Sequence, residues 1–78
     1  MNWIRFKSAQ NGIHEINVQK ISAFLYDGEK KNWILVLDNK NGIPINEDVH
    51  NKIINIIEKL QHEQVINLIE NESKDKEA

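Results

Sequence analysis

Residues 46–60 read NEDVHNKIINIIEKL and carry the clearest structural signal in the chain. Asn46 is a favourable N-cap residue, and Glu47 and Asp48 place negative charge beside the unpaired N–H groups of a first helical turn. The apolar residues recur at steps of three and four and so form one stripe of an α-helix: Val49, Ile53, Ile56, Ile57 and Leu60. The sequence therefore predicts an amphipathic helix that begins after Asn46.

The apolar stripe changes direction beyond this stretch. At about 100° per residue, Val65, Leu68 and Ile69 centre roughly one third of a turn away from the earlier group. No glycine or proline interrupts residues 59–71, so the helix is predicted to continue. A second seam then forms at coiled-coil-like steps, which is typical of a contact with a helix of another chain; its members are Ile54, Ile57, Gln61, Val65 and Leu68.

This seam predicts a homodimer with an interface formed by Ile54, Gln61, Val65, Leu68 and Ile69. The alternative is a kink near Gln61 and His62 that folds the last segment back onto its own sheet. Residues 73–78 are short and charged, and they are expected to fray beyond a single domain of residues 1–72.

The amino-terminal part of the chain predicts a β-hairpin. Residues 2–7 (NWIRFK) alternate in polarity, with Ile4 and Phe6 on one side of a half-buried strand. Asn11–Gly12 is a strong hairpin signal, and residues 13–18 are the expected partner strand.

Three more strands are predicted before the helix. Residues 19–20 favour a bend or a short helical turn, and residues 21–26 (ISAFLY) form the next strand. Residues 33–37 (WILVL) are uninterrupted apolar and predict a central strand covered on both faces or nearly so. Residues 43–45 contain Pro44, which favours an edge strand. The predicted class is α+β, with a four- to five-stranded antiparallel β-meander followed by one long C-terminal α-helix packed on one face of the sheet.

Length and composition narrow the function classes. A chain of 78 residues suffices for one domain, and small domains often gain stability by oligomerising. The absence of cysteine excludes disulfides and fits a reducing cytoplasm. A net charge of −2 disfavours a dedicated nucleic-acid-binding domain. No apolar run is long enough for a membrane span, and abundant Ile, Asn and Lys, which have AT-rich codons, favour a bacterial or phage origin.

The titratable residues form no recognisable catalytic or metal-binding pattern. His50 and His62 are separated by about 18 Å along a helix, too far to share an ion within one chain. Glu58 and His62 supply only two ligands, and two ligands seldom hold zinc. No serine has a nucleophile-elbow context, and the glycines form no phosphate loop. The sequence predicts neither an enzyme nor a metal or cofactor site.

One surface cluster is a candidate binding site. Trp3, Arg5 and Lys7 share the polar face of the first predicted strand, and Lys30 and Lys31 in a hairpin loop extend it as a basic rim. An aromatic ring beside two cations is suited to stacking on a base, gripping a phosphate or anchoring a protein contact. The structural alternative is that Trp3 covers an open sheet edge while the two cations keep this face soluble.

The order of parts is similar to that of the FlbD-type flagellar accessory proteins. The shared parts are INVQKISAF, WILVL, an Asn-Gly turn and an acidic start to an Ile-rich helix, all between Ile13 and Ile57. The chain departs from that family at its amino end and is shorter after Asn41–Gly42. Any β-meander followed by a helix would show these turn and periodicity signals, so no function or site residue is carried over.

These observations predict a non-enzymatic interaction module in the bacterial cytoplasm, encoded by a bacterium or a phage. The expected protein is a homodimer that binds another protein and regulates or inhibits it. The alternative is a nucleic-acid or nucleotide-binding protein that uses the aromatic-basic strand face.

Overall fold

The computed structural model of the chain describes residues 2–62, 64–66 and 68–69. Its elements are β1 (Trp3–Lys7), β2 (Ile13–Asn17), a 3₁₀ turn (Val18–Lys20), β3 (Ile21–Asp27), β4 (Asn32–Leu37), β5 (Gly42–Ile45) and α1 (Glu47–Leu60). The strands form two antiparallel sheets, β1-β2 and β3-β4-β5. The α+β class is thus confirmed, and the predicted four- to five-stranded antiparallel meander is matched in part, because its five strands divide between β2 and β3 into two sheets.

The division follows from the 3₁₀ turn. Asn17 caps this turn, its side-chain oxygen accepting a 2.9 Å hydrogen bond from the Gln19 N–H. Val18, expected at the end of a strand, lies in the turn and is fully buried. The Val18 N–H donates to the Asn2 carbonyl at 2.8 Å, and the Asp38 N–H donates to the Lys20 carbonyl at 2.8 Å. The turn therefore redirects the chain while joining the hairpin to the end of β4.

The inner face of the three-stranded sheet forms the core. Phe24 and Ile43 lie opposite Leu35 on the flanking strands, which places β4 in the centre and β5 at an edge, as predicted. Leu35 is fully buried, and Ile53 of α1 and Ile16 of β2 pack in the same cluster. The helix and the hairpin therefore cover the same side of the sheet.

Helix α1 begins where the sequence indicates and ends earlier than expected. Gln61 still donates its N–H to the Ile57 carbonyl at 3.0 Å, but His62 has a φ of 55°. A left-handed residue just past the last turn is a common way for a helix to end, and histidine enters this region more readily than most residues. Residues 64–66 and 68–69 are not helical, so the predicted continuation was wrong.

The early end has a physical reason in the pattern of the sequence. A longer helix would point Val65 and Leu68 away from the core, so each added turn would bury little apolar surface. The five predicted interface residues therefore do not share one helix face. The predicted frayed tail of residues 73–78 lies outside the described residues.

Two adjacent lysines in the β3–β4 turn allow the backbone conformation of that turn to be tested. Lys31 has a φ of 56°, whereas Lys30 is not in the positive-φ region. We expect Lys31→Gly to raise the free energy of unfolding by about 0.5–1 kcal/mol, because glycine adopts this conformation without the steric penalty of a Cβ. Urea denaturation measures the change.

The control is Lys30→Gly, which removes the same charge from the same turn. It should lower the free energy of unfolding by about 0.5–1 kcal/mol, because it only increases the freedom of the unfolded chain. Equal effects of the two substitutions would contradict the turn geometry.

Candidate functional site

Strand β1 presents the predicted aromatic-basic face to solvent. Trp3, Arg5 and Lys7 are exposed, and they alternate with half-buried Ile4 and Phe6, which face the core. The sequence pattern was sufficient for this result, because the alternation has the period of a strand covered on one side.

The cations of this face are partly neutralised. Arg5 lies directly opposite Glu15 on β2, and its Nε donates to Glu15 Oε2 at 2.6 Å. Lys7 lies opposite Ile13, an apolar residue that is 62% exposed. This part of the surface therefore has less excess positive charge than the sequence of β1 alone indicates.

Lys30 and Lys31 do not extend the basic face. They occupy the β3–β4 turn, where Asp27 Oδ1 accepts hydrogen bonds from the N–H groups of Glu29 and Lys30. Strand β4 runs from this turn towards the Trp3 side of the molecule and spans about 17 Å at 3.4 Å per residue. The two lysines therefore lie at the opposite end of β4 from Trp3.

Trp3 instead forms a wall of a groove that the sequence did not indicate. The groove has a volume of about 620 Å³, and we call it the Trp3 groove; it is lined by Trp3, Ile16, Asn17, Lys20, Leu37, Asp38 and Asn39. The indole is 63% exposed. Pockets of roughly 300–1,000 Å³ suit small ligands, and this one combines apolar side chains with a few polar groups.

The polar groups of the Trp3 groove are held by local structure. The Lys20 carbonyl accepts a hydrogen bond from the Asp38 N–H, which brings the two side chains to the same rim. No ion pair joins them within the described residues. Lys20 and Asp38 are therefore available to an amphipathic ligand, but the groove has no arrangement of nucleophile and base.

The outer face of the three-stranded sheet is a second candidate surface. The strand register places its apolar side chains together, and we define this outer face as Ala23, Leu25, Ile34, Val36 and Pro44. Leu25 is 57% exposed, and none of the five belongs to the core around Leu35 as far as the described residues show. The prediction that β4 is covered on both faces therefore holds only for the inner face.

Gly42 shapes one edge of the outer face. A Cβ at this position would lie 2.9 Å from Ile34 Cγ2, so any side chain at residue 42 would force the Ile34 side chain to shift. The absence of a side chain also leaves the outer face flat beside Ile34.

The segment after α1 carries the remaining predicted interface residues. Its Val65 N–H donates to Glu58 Oε2 at 3.2 Å, so the chain turns back beside the helix near the predicted kink. Val65, Ile66 and Leu68 are 56%, 77% and 88% exposed, so they do not pack on the sheet as the alternative prediction required. Ile54 is half-buried on α1, and Gln61 is its C-cap.

An aromatic cluster around His50 was missed in the sequence. The His50 ring stacks on Trp33 at a centroid distance of 3.8 Å and meets Phe24 edge-on at 5.0 Å. His50 lies about 70° from the centre of the apolar stripe, and this position at its margin was the available signal. The cluster packs α1 against β3 and β4, so we assign these side chains a role in the packing of the fold rather than in ligand binding.

Among residues 2–62, 64–66 and 68–69, no three His, Asp or Glu side chains are grouped so that they could hold a metal ion. No helix within the same residues is long and apolar enough to cross a membrane.

Comparison with known proteins gave no match to a family model, to a curated protein or to a solved structure.

The two tryptophans provide a test of the site geometry. The Trp33→Phe variant retains only Trp3, and its fluorescence should be red-shifted and readily quenched by acrylamide, because that indole is 63% exposed. The Trp3→Phe variant retains Trp33 between His50 and Tyr26, so its emission should be blue-shifted and better protected. Stronger quenching of Trp33 than of Trp3 would contradict the placement of the groove.

Proposed function

We propose that this protein is a small, non-enzymatic interaction module that acts as a homodimer in the cytoplasm of a bacterium, encoded by the bacterium or a phage. It binds another protein through the outer face and thereby regulates or inhibits it. The observation that carries this proposal is the outer face itself, an apolar sheet surface without a covering layer among the described residues.

The composition of the outer face supports a protein partner. Its centre is apolar, and Asp27 and Asn32 continue the same side of β3 and β4 at one end. An apolar centre with a polar margin is the usual anatomy of a protein–protein interface. An exposed apolar patch of this kind on a small domain typically marks an interaction site.

Energetic considerations also favour a partner for this face. Fully burying a leucine or isoleucine side chain contributes about 1.5–3 kcal/mol. A partner that covers Leu25, Ile34 and Val36 gains from residues whose backbone the β-ladder already orders, so little backbone entropy is lost on binding.

Leu25→Asp tests the role of the outer face. This substitution places a charge directly beside Ile34 on this face and should abolish capture of the specific partner, while the free energy of unfolding changes by no more than about 1 kcal/mol. The measurement is affinity capture from bacterial lysate with the tagged full chain, followed by quantitative mass spectrometry.

Ile13→Asp is the matched control, because Ile13 is 62% exposed, compared with 57% for Leu25, but lies on the hairpin. Proteins retained by the wild type and by Ile13→Asp, and lost only with Leu25→Asp, would support the proposal. Identical capture by all three proteins would refute it.

A second candidate function, binding of a nucleotide or a single nucleic-acid strand, is favoured by the exposed indole of Trp3. The Trp3 groove provides an aromatic surface with Lys20 at its rim, and Arg5 and Lys7 follow on the same strand. Stacking on an aromatic side chain contributes about 1–3 kcal/mol per base. Asp38 in the groove and Glu15 beside Arg5 oppose a polyanion, so this candidate ranks second.

The salt dependence of binding distinguishes the second candidate. If it is correct, fluorescence anisotropy with a labelled single-stranded oligonucleotide should show affinity that falls steeply with salt. Arg5→Ala should weaken binding, while Lys30→Ala at the far end of β4 should not. Absence of binding at low salt would exclude this function.

A further inference from the structure

Strand β1 has one edge that β2 does not use. The Ser8 N–H donates to the Gly12 carbonyl, and the Val18 N–H donates to the Asn2 carbonyl, each at 2.8 Å. Ladder hydrogen bonds in an antiparallel pair alternate along the strand. The even-numbered residues of β1 therefore bond to β2, and the N–H and C=O groups of Trp3, Arg5 and Lys7 point to the other side.

The next residue in this odd-numbered series confirms the direction. The Ala9 N–H donates to the Pro44 carbonyl at 2.8 Å, so beyond the end of β1 this side faces the outer edge of β5. Along β1 itself, no backbone hydrogen bond of this kind is made to another element within the described residues. The outward edge of β1 is thus available for pairing with a further strand.

A groove runs beside this edge, between β1 and α1. It has a volume of about 280 Å³ and is lined by Ile4, Arg5, Phe6, Lys7, Val49, Lys52, Ile53 and Ile56. We call it the β1–α1 groove. Its apolar side chains alternate with cations along β1, which is a pattern suited to the alternating side chains of an extended peptide.

The charge of the β1–α1 groove favours an acidic occupant. Arg5, Lys7 and Lys52 lie along it, and the two carboxylates paired with them are Glu15 and Asp48. Both ion pairs are well exposed, and such pairs are weak and can exchange partners. Lys7 has no ion-pair partner among the described residues, which leaves the rim net positive.

The chain itself contains a segment with matching chemistry. Residues 64–72 read QVINLIENE, in which apolar residues are followed by two glutamates. In an extended chain Ile66 and Leu68 point to the same side. Both are highly exposed in the single chain.

We propose that residues 64–72 of one copy add as a β-strand to the outward edge of β1 in a second copy. Ile66 and Leu68 enter the β1–α1 groove, and Glu70 and Glu72, which lie on the same side of an extended segment, meet Lys52 on the α1 side of its rim. This inference rests on the homodimer in the proposed function and replaces the helical seam with a strand exchange.

The geometry favours a second copy over the same chain. The segment leaves α1 beside Glu58, because the Val65 N–H bonds to that carboxylate. At 3.6 residues per turn, Glu58 lies about 170° around the helix from the residues that line the groove. The segment therefore departs on the side of α1 away from its own β1–α1 groove.

Engineered disulfides test the pairing directly, because the full chain contains no cysteine. Asn67 alternates with Ile66 and Leu68, so in the added strand it lies on the side of Arg5 and Lys7. We expect Arg5→Cys/Asn67→Cys or Lys7→Cys/Asn67→Cys, oxidised with glutathione disulfide, to give a covalent dimer on a non-reducing gel. Paired strands bring Cα atoms to about 5.5 Å, a separation that a disulfide can span.

Lys30→Cys/Asn67→Cys is the control, because Lys30 lies at the far end of β4. A dimer yield no higher than in this control would overturn the strand exchange, and so would a disulfide within one chain, seen as an oxidised monomer by mass spectrometry. The wild type is examined in parallel by light scattering. A dimer that does not cross-link leaves the homodimer in place and removes only the strand exchange, whereas a monomer removes both.

A second variant avoids cysteine chemistry. Leu68→Asp should raise the dimer dissociation constant about tenfold or more, because it removes an apolar side chain from the groove. Leu60→Asp changes an exposed leucine at the end of α1, outside the exchanged segment, and should leave the constant unchanged. Equal effects of both substitutions would count against the proposal.

Discussion

The burial of Leu35 organises this structure. Its side chain is fully enclosed by the inner face of the sheet, by Ile53 of α1 and by the hairpin. Within the described residues one helix and one hairpin are available to cover the sheet, and both lie on this side. The exposed outer face is the direct consequence, because no further described element remains to cover Ile34 and Val36.

Sequence reasoning succeeded where the signal is local. The start of α1 follows from two acidic residues in its first turn and from Asn46 at the N-cap position, although the Asn46 side chain makes no capping hydrogen bond. The hairpin follows from an Asn-Gly pair, and the edge position of β5 from Pro44. Each of these depends on a few neighbouring residues whose backbone preferences agree with the fold. The alternation of β1 is equally local, so the exposure of Trp3, Arg5 and Lys7 could also be predicted.

The features that were missed depend on contacts between distant parts of the chain. The division into two sheets depends on the burial of Val18 in the 3₁₀ turn, where its N–H bonds to Asn2 far away in sequence, and the early end of α1 depends on His62 in a left-handed conformation. The Trp3 groove joins β1, the 3₁₀ turn and the residues after β4. A periodic pattern in the sequence cannot show that these distant segments lie side by side. The apolar stripe does change direction beyond Leu60, and this change coincides with the end of the helix.

The outer edges of β5 and β1 differ in whether they can pair with a strand of another chain. An unpaired strand edge is a template for another strand, and proteins usually protect it. On β5, Pro44 lacks an N–H and its carbonyl is bonded to Ala9, so that edge is closed. On β1, the outward groups have no such protection, yet charged Arg5 and Lys7 flank them and discourage unselective pairing with apolar strands. The backbone groups on this edge of β1 are free to pair within the described residues, and the cations beside them favour an acidic strand over a neutral or basic one. Residues 64–72 of this chain are an acidic segment of this kind.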